Sequence, residues 1–299
     1  MTTQSAPDAP AIEFRNVSLS FEDRRALQGV SFTLGREQMI IITGASGSGK
    51  SVLLHLAIGL LRPDEGEILI EGREIQQLDE KELLSIRSRR MGLVFQEDTL
   101  FTGLDTYENT AYRLVEHGWP EVEIERAVPE ILAFVGLEKD VDKLPEELSI
   151  GMRRRLELAR ALAGWPPIML FDEPTIGLDP INARQVLDLI IRARDIHRIS
   201  SLLVTKELHQ IPYVVNHEAA SDASGAVTIR KAERTRGPKA RVMTLDEGEI
   251  AFLGTPEEFD ASGLPSVIHL THPEIGMHKA TGPTPNPWKE REPTGGASK

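Results

Sequence analysis

The chain has 299 residues, 40% hydrophobic and 27% charged, an ordinary globular balance with enough length to bury a full core. A formal net charge of −12 excludes broad nucleic-acid binding, which needs a basic footprint, so an anionic ligand has to be held by local geometry. The absence of cysteine excludes disulfides, thiolate zinc sites and cysteine catalysis and fits a cytosolic protein; a polar N-terminus and no apolar run near the roughly 18 residues of a membrane span argue against a signal peptide and a transmembrane helix.

Residues 1–11 read as a disordered lead, after which IEFRNVSLSFED and ALQGVSFTLG alternate apolar and polar residues as half-buried strands do. The wholly apolar MIIIT is the pattern of a strand buried on both faces of a parallel sheet, and SVLLHLAIGLL beyond it has helical spacing. GEILIEGREI is a further β segment, and the charged KELLSIRSRR leads into the apolar MGLVF. From 96 to 162 the pattern is mostly helical, in YENTAYRLVEHG, EVEIERAVPEILAFVGL and MRRRLELARALAG; it reads as a helical insertion in a core formed by 12–95 and 163–255. PPIMLFDEP gives a second buried strand ending in carboxylates, INARQVLDLIIRARDIH a helix and ISSLLVT a third buried strand, the alternation that a parallel sheet with crossovers requires. A basic insertion over 218–241 interrupts that rhythm before RVMTLDEGEIAFLG closes as a hairpin. A helical extension over 256–281 and a disordered tail rich in Pro, Gly and charge over 282–299 follow.

Gly44-Ala45-Ser46-Gly47-Ser48-Gly49-Lys50-Ser51 fits G-x-x-x-x-G-K-[ST] and lies between a predicted buried strand and a predicted helix, the context of a P-loop. Its glycines let backbone N–H groups curl around a phosphate, with the partial positive charge of a helix N-terminus behind them. Lys50 is expected on the β- and γ-phosphates of ATP and Ser51 on Mg²⁺. A P-loop also needs a carboxylate at the end of a neighbouring strand to hold the metal, and IMLFDE supplies Asp172. Glu173, next in line, is suited to polarise a water for in-line attack on the γ-phosphate.

Between these motifs, LSIGMRRRLELARAL resembles the signature helix of ABC-type ATPases, whose pattern is LSGGQ. The resemblance implies an α/β P-loop NTPase core of ABC type, with a mixed sheet, an antiparallel β subdomain and an inserted helical subdomain carrying the signature. It also implies a head-to-tail homodimer in which each ATP is held by one subunit's P-loop and the other's signature, here Ser149 and Gly151. Other elements of the family follow in order: Gln96 matches the Q-loop glutamine that senses metal and water, Asp179 the D-loop, and Phe21 the aromatic that stacks on adenine, with Val52 beside the P-loop as a further nucleotide contact. Within the family, FQEDTLFTGLDTYENTAYRLVEHG resembles the segment after the Q-loop in ATPases of Mla-type and Mce-linked lipid transporters, a region that meets the permease's coupling helix.

Two positions depart from the pattern. Where the family has a histidine contacting the γ-phosphate, LLVTKELHQI has Lys206, a flexible point charge that cannot act as neutral donor and acceptor in one fixed geometry. His209 lies three residues on and is either a substitute one helical turn away or a surface histidine. Ile150 replaces the first glycine of the signature, which is unstrained only at negative φ. The insertion carries Arg230, Lys231, Arg234, Arg236, Lys239 and Arg241 against Glu233, either a patch for lipid headgroups or an acidic partner, or a solvated hairpin.

The resemblance therefore implies the ATP-hydrolysing subunit of an ABC transporter that moves phospholipid or a related lipid through a separate membrane permease, with an Mce-type lipid-binding protein in the complex. Such a subunit sits in the cytoplasm on the inner face of the membrane. Lys206 motivates a second reading, a degenerate ATP-gated dimerisation module that scarcely hydrolyses. A soluble ABC ATPase of DNA repair or translation is a third, opposed by the single cassette and the acidic charge.

Overall fold

The computed structural model of the protein describes residues 9–22, 24–222, 226–232 and 239–262. Residues 1–8 of the disordered lead expected over 1–11, the tail over 282–299, the helical extension beyond residue 262, and Glu233, Arg234 and Arg236 of the insertion lie outside the described residues. Ala11 donates its N–H to the Leu34 carbonyl (2.9 Å), so sheet pairing begins one residue before Ile12.

β1 (Ile12–Phe21) and β2 (Arg24–Leu34) pair antiparallel, and β4 (Glu65–Ile70) and β5 (Arg73–Glu74) extend them into a sheet of order β2-β1-β4-β5. One face of this sheet is apolar, as the alternation predicts, with Phe14 and Phe32 stacked at 4.7 Å. β3 (Met39–Thr43) is buried at every position, and its side chains divide by parity between two cores, Met39 and Ile41 in one and Ile40 and Ile42 in the other. β7 (Ile168–Asp172) and β8 (Ser200–Val204) divide in the same way, which is why these runs are continuously hydrophobic.

With β6 (Met91–Val94), β11 (Ala240–Asp246) and β12 (Glu249–Gly254) they form a six-stranded sheet of order β12-β11-β3-β8-β7-β6. The closing hairpin forms as expected, and its first strand also runs parallel to β3, a long-range pairing invisible to local pattern. Register decides where the site is. Ile42 pairs with Val204, Val204 with Asp172, and Phe171 with Val94, so the parallel strands deliver the residues that follow them to one edge.

α1 (Lys50–Ala57) starts directly at the P-loop, and α2 (Glu80–Arg90) is fixed by a reciprocal capping box of Asp79 and Glu82. α3 (Thr106–Glu116), α4 (Glu121–Val135) and α5 (Ile150–Leu162) pack together as the expected helical stretch, α3 opening on a second capping box, Asp105 with Glu108. α6 (Pro180–Ile196) begins at Asp179, whose side chain accepts from the N–H groups of Ile181 and Asn182. α7 (Ile211–Asn216) precedes a hairpin of β9 (His217–Ser221) and β10 (Val227–Lys231), and α8 (Pro256–Ala261) packs against β11 and β12.

That hairpin is docked on α6 through buried charge. Asp195, with a side chain only 1% exposed, receives Arg194 Nη2 at 2.9 Å, Lys239 Nζ at 2.9 Å and the Ala219 N–H at 2.8 Å. Arg230 pairs with Glu218 at 3.0 Å, and Arg241 donates to the Thr33 carbonyl. Three of the basic residues counted as a patch thus have partners within the fold while staying partly exposed. Burial raises the Asp195 carboxyl, but Arg194, Lys239 and the Ala219 N–H together outweigh it and hold it below the ordinary carboxylate range. A depressed carboxyl contributes stability above its unfolded value and loses it as pH falls through the folded one. Replacing Asp195 with Asn should therefore lower the unfolding free energy by about 3 kcal/mol at neutral pH, with the deficit shrinking below about pH 4. Urea melts of parent and variant at several pH values measure both; equal stability at pH 7 would mean that the network carries no net weight.

Candidate active site

The P-loop is built where only glycine fits. Gly44 sits at φ 144°, and a Cβ there would lie 2.1 Å from the Leu245 carbonyl oxygen; Gly49 sits at φ 101°, and its Cβ would lie 2.5 Å from the Ala26 carbonyl. Lys50 follows at the first turn of α1, is buried, and donates from Nζ to the carbonyls of Gly44 (2.8 Å) and Ala45 (2.7 Å). Burial lowers its pKa and the Lys206 charge lowers it further, while Glu173 and Asp172 oppose them. Two of its three donors are used, which leaves one for a phosphate oxygen.

Asp172 closes β7, and Glu173 takes the next position at φ 47°, a left-handed conformation rare for a non-glycine residue. Its N–H donates to the Val204 carbonyl (3.0 Å), so β8 holds the turn that aims it. Glu173 is buried, and its carboxylate meets Lys206 Nζ at 2.7 Å. Burial raises the Asp172 carboxyl and Glu173 adds to the rise, against a hydrogen bond from Ser51. Asp172 Oδ1 and Ser48 Oγ are buried with no hydrogen-bond partner.

A groove of about 360 Å³ gathers Phe21, Gly47, Gly49, Lys50, Ser51, Val52, Gln96, Glu173 and Lys206 of the expected residues. Gly44, Ala45, Ser46 and Ser48 are the remaining residues of the same loop, and Asp172 accepts a hydrogen bond from Ser51. Phe21 is 47% exposed, as a stacking platform must be. The groove also takes in Arg24, which sequence reasoning missed: it pairs across the turn with Phe21, and its Nη2 lies 3.4 Å from the Gly47 carbonyl. The readable signal was a basic residue directly across the turn from an aromatic platform.

The residues gathered suit a divalent cation. The unpartnered Asp172 oxygen beside Ser51 is the kind of orphan that a hard cation satisfies. No group of three or more His, Cys, Asp or Glu side chains able to hold a metal occurs among the described residues, so oxygens of the ligand and of water would complete the coordination.

Ser149, Gly151 and Asp179 stand apart from the groove on this chain. Ser149 caps α5, its Oγ accepting from the Met152 N–H at 3.3 Å. Gly151 abuts the start of α6, where a Cβ would lie 2.0 Å from Asn182 Oδ1. Ile150 is the first residue of α5, is absent from the positive-φ residues, and is 61% exposed, so it replaces glycine without strain. Lys206 reaches the groove, whereas His209 does not: it lines a neighbouring pocket with Gln210 and Tyr213 and faces Glu207 at 3.4 Å.

Known proteins share this arrangement. Residues 27–176 match the family model described as ABC transporter. The probable ribonucleotide transport ATP-binding protein mkl of Mycobacterium tuberculosis is 37% identical over 247 residues, 82% of this chain and 67% of that protein. The chloroplastic protein TRIGALACTOSYLDIACYLGLYCEROL 3 of Arabidopsis thaliana is 38% identical over 265 residues, 86% of this chain and 72% of its own length. One bacterial ABC transporter cassette, solved as a dimer, superposes with a TM-score of 0.68 at 26% identity, over 82% of this chain and 98% of that one. The same cassette as a dimeric post-hydrolysis state bound to ADP and Pi gives 0.65 at 27%, with the same coverage. A family match over half of the chain and relatives this similar over most of both lengths show that the protein belongs to the ABC transporter family, as an ATP-binding cassette.

Proposed function

We propose that the chain binds ATP in the P-loop groove and hydrolyses it as one half of a head-to-tail homodimer beneath a lipid-transporting permease. The observation that carries the ATPase reading is Glu173, a buried carboxylate held at φ 47° in the groove that also contains Lys50 and Gln96. Phe21 stacks the adenine, the P-loop N–H groups and Lys50 take the phosphates, and Glu173 accepts the proton of the attacking water. Asp172, Ser51 and Gln96 would hold Mg²⁺, which neutralises charge on the phosphates.

The second half of the site comes from the partner in this reading. Ser149 and the helix start behind it make an anion site, and the exposed Ile150 and Ile181 flank the contact of Gly151 with Asn182, an apolar face suited to a second copy. Permease docking is supported by a groove of about 520 Å³ between α3 and α4, lined by Leu104, Tyr107, Tyr112 and Val115 and rimmed by Glu108, Glu116, Glu121 and Glu125. No helix among the described residues is long and apolar enough to cross a membrane. The resemblance of the 95–118 segment to Mce-linked ATPases supports lipid as cargo, as does similarity to a relative named for a galactolipid. Mass spectrometry of lipid retained by the purified complex tests the cargo; a complex carrying no lipid would remove it.

The Lys206 to Glu173 ion pair favours the degenerate module as the competing reading, because an ammonium at 2.7 Å withholds the carboxylate from water. The two readings part on mutation. Glu173→Gln should keep ATP affinity and lower turnover at least about 100-fold; a turnover equal to the parent's would show that Glu173 is not the base. Lys206→His should raise steady-state ATPase several-fold, with ATP affinity by calorimetry about unchanged, since an imidazole releases the carboxylate and orients water better than a mobile ammonium. No rise in the assembled transporter would mean that Lys206 does not hold the base back. Reversing charge with Glu121→Lys and Glu125→Lys should weaken copurification with the permease while the isolated ATPase stays at parental rate; retained association would place docking elsewhere.

A further inference from the structure

We infer that Arg154 and Glu157 are positioning residues for hydrolysis, a buried ion pair on the signature helix that fixes the backbone of Gln96 from behind. The inference builds on the proposed ATPase reading and adds to it a physical link between the signature helix, the docking groove and the γ-phosphate end of the site.

Gln96 follows β6 with an exposed side chain in the nucleotide groove, and no helix or strand holds its own segment in place. Its backbone is held by α5 instead. Arg154 donates from Nη1 to the Phe95 carbonyl at 2.9 Å and from Nη2 to the Gln96 carbonyl at 3.0 Å, while Nη1 also meets Glu157 Oε2 at 2.6 Å. Glu157 accepts the Thr99 N–H on its other oxygen at 3.1 Å. Both side chains are at most 9% exposed, so these bonds work at low dielectric with little competition from water. A guanidinium suits the task because its planar fork reaches two adjacent carbonyls and a carboxylate at once.

The same segment is tied to the docking groove. One turn along α5, Arg160 donates to the Thr99 carbonyl at 2.7 Å and lies over the Phe101 ring. Phe101 packs on Tyr112 of α3, a groove residue, with centroids 4.4 Å apart, and exchanges backbone hydrogen bonds with the buried Asn109 side chain. A displacement of the groove wall therefore reaches Thr99, and through Glu157 and Arg154 it reaches Gln96. Because α5 is the helix capped by Ser149, the clamp also joins the glutamine that serves this chain's ATP to the helix end offered to the partner's.

Arg154→Lys tests the clamp: the ammonium can still pair with Glu157 but cannot span both carbonyls. Should that variant fail to fold, Arg154→Met with Glu157→Leu removes both buried charges together. Expected are turnover lowered at least ~10-fold, a several-fold higher Mg²⁺ concentration for half-maximal hydrolysis, and ATP affinity within about twofold of parent, as for the loss of a group that orients a metal ligand. Amide exchange over residues 95–101 should accelerate while that of 44–51 stays as in the parent. Turnover and Mg²⁺ dependence at parental values would overturn the inference, and so would a fall in turnover without faster exchange over 95–101. An inactive parental protein would sink the ATPase reading by itself. The clamp is then judged on exchange alone, where protection of 95–101 by MgATP that is lost in the variant supports it and equal protection overturns it.

Discussion

A chain with a net charge of −12 can hold a polyphosphate only where backbone N–H groups and a few cations outweigh the carboxylates around them, and the parallel sheet creates one such place. β3, β7 and β8 end at the same edge in strict register, so the P-loop, the Asp172–Glu173 pair and Lys206 converge without any of them being near in sequence. The convergence brings carboxylates and cations into one groove. Burial lowers the Lys50 pKa and Lys206 lowers it further, while burial raises that of Asp172 and Glu173 adds to the rise. A site loaded in this way is poised for a ligand that carries its own opposing charges, a polyanion together with a divalent cation.

Lys206 shows what that balance costs when one residue type changes. An imidazole at the end of β8 would be a weak cation at most, and Glu173 would stand free in its strained turn. An ammonium at 2.7 Å neutralises the carboxylate and borrows the geometry evolved to aim it. His209 offers no replacement, since it faces solvent and Glu207 in the adjoining pocket. On the proposed reading, turnover would depend on how readily Lys206 transfers from Glu173 to a phosphate oxygen, a step that ligand charge can drive.

What was legible in the sequence is what is local. The P-loop announces itself because strand, loop and helix are contiguous, and Asp172 and Glu173 because they end an apolar run. Asp179, read from the sequence only as a D-loop residue, also caps α6 ahead of Pro180. What was not legible depends on long-range pairing: β11 inserting beside β3, the basic residues of the β9–β10 hairpin folded onto Asp195 and Glu218, and Arg154 bonding to Gln96 58 residues away. An Arg and a Glu at i and i+3 on a helix look like an ordinary exposed pair, and only the packing of α5 against the Q-loop segment buries them.

On the proposed reading the nucleotide groove is blind to cargo, because every group in it would answer to phosphate, metal, water or adenine. That fits relatives with names as different as ribonucleotide transport and trigalactosyldiacylglycerol being identical to this chain at more than a third of the aligned residues. Individuality lies in surfaces that the chemistry does not touch. The α3–α4 groove joins an apolar floor to a rim of four glutamates, which favours a partner helix with apolar residues flanked by basic ones and penalises an acidic one. Since that groove connects through Phe101 and Thr99 to Arg154, the surface proposed to select a partner is also continuous by contact with Gln96. On the proposed reading, partner recognition and the rate of hydrolysis would be coupled through one short segment, residues 95–101.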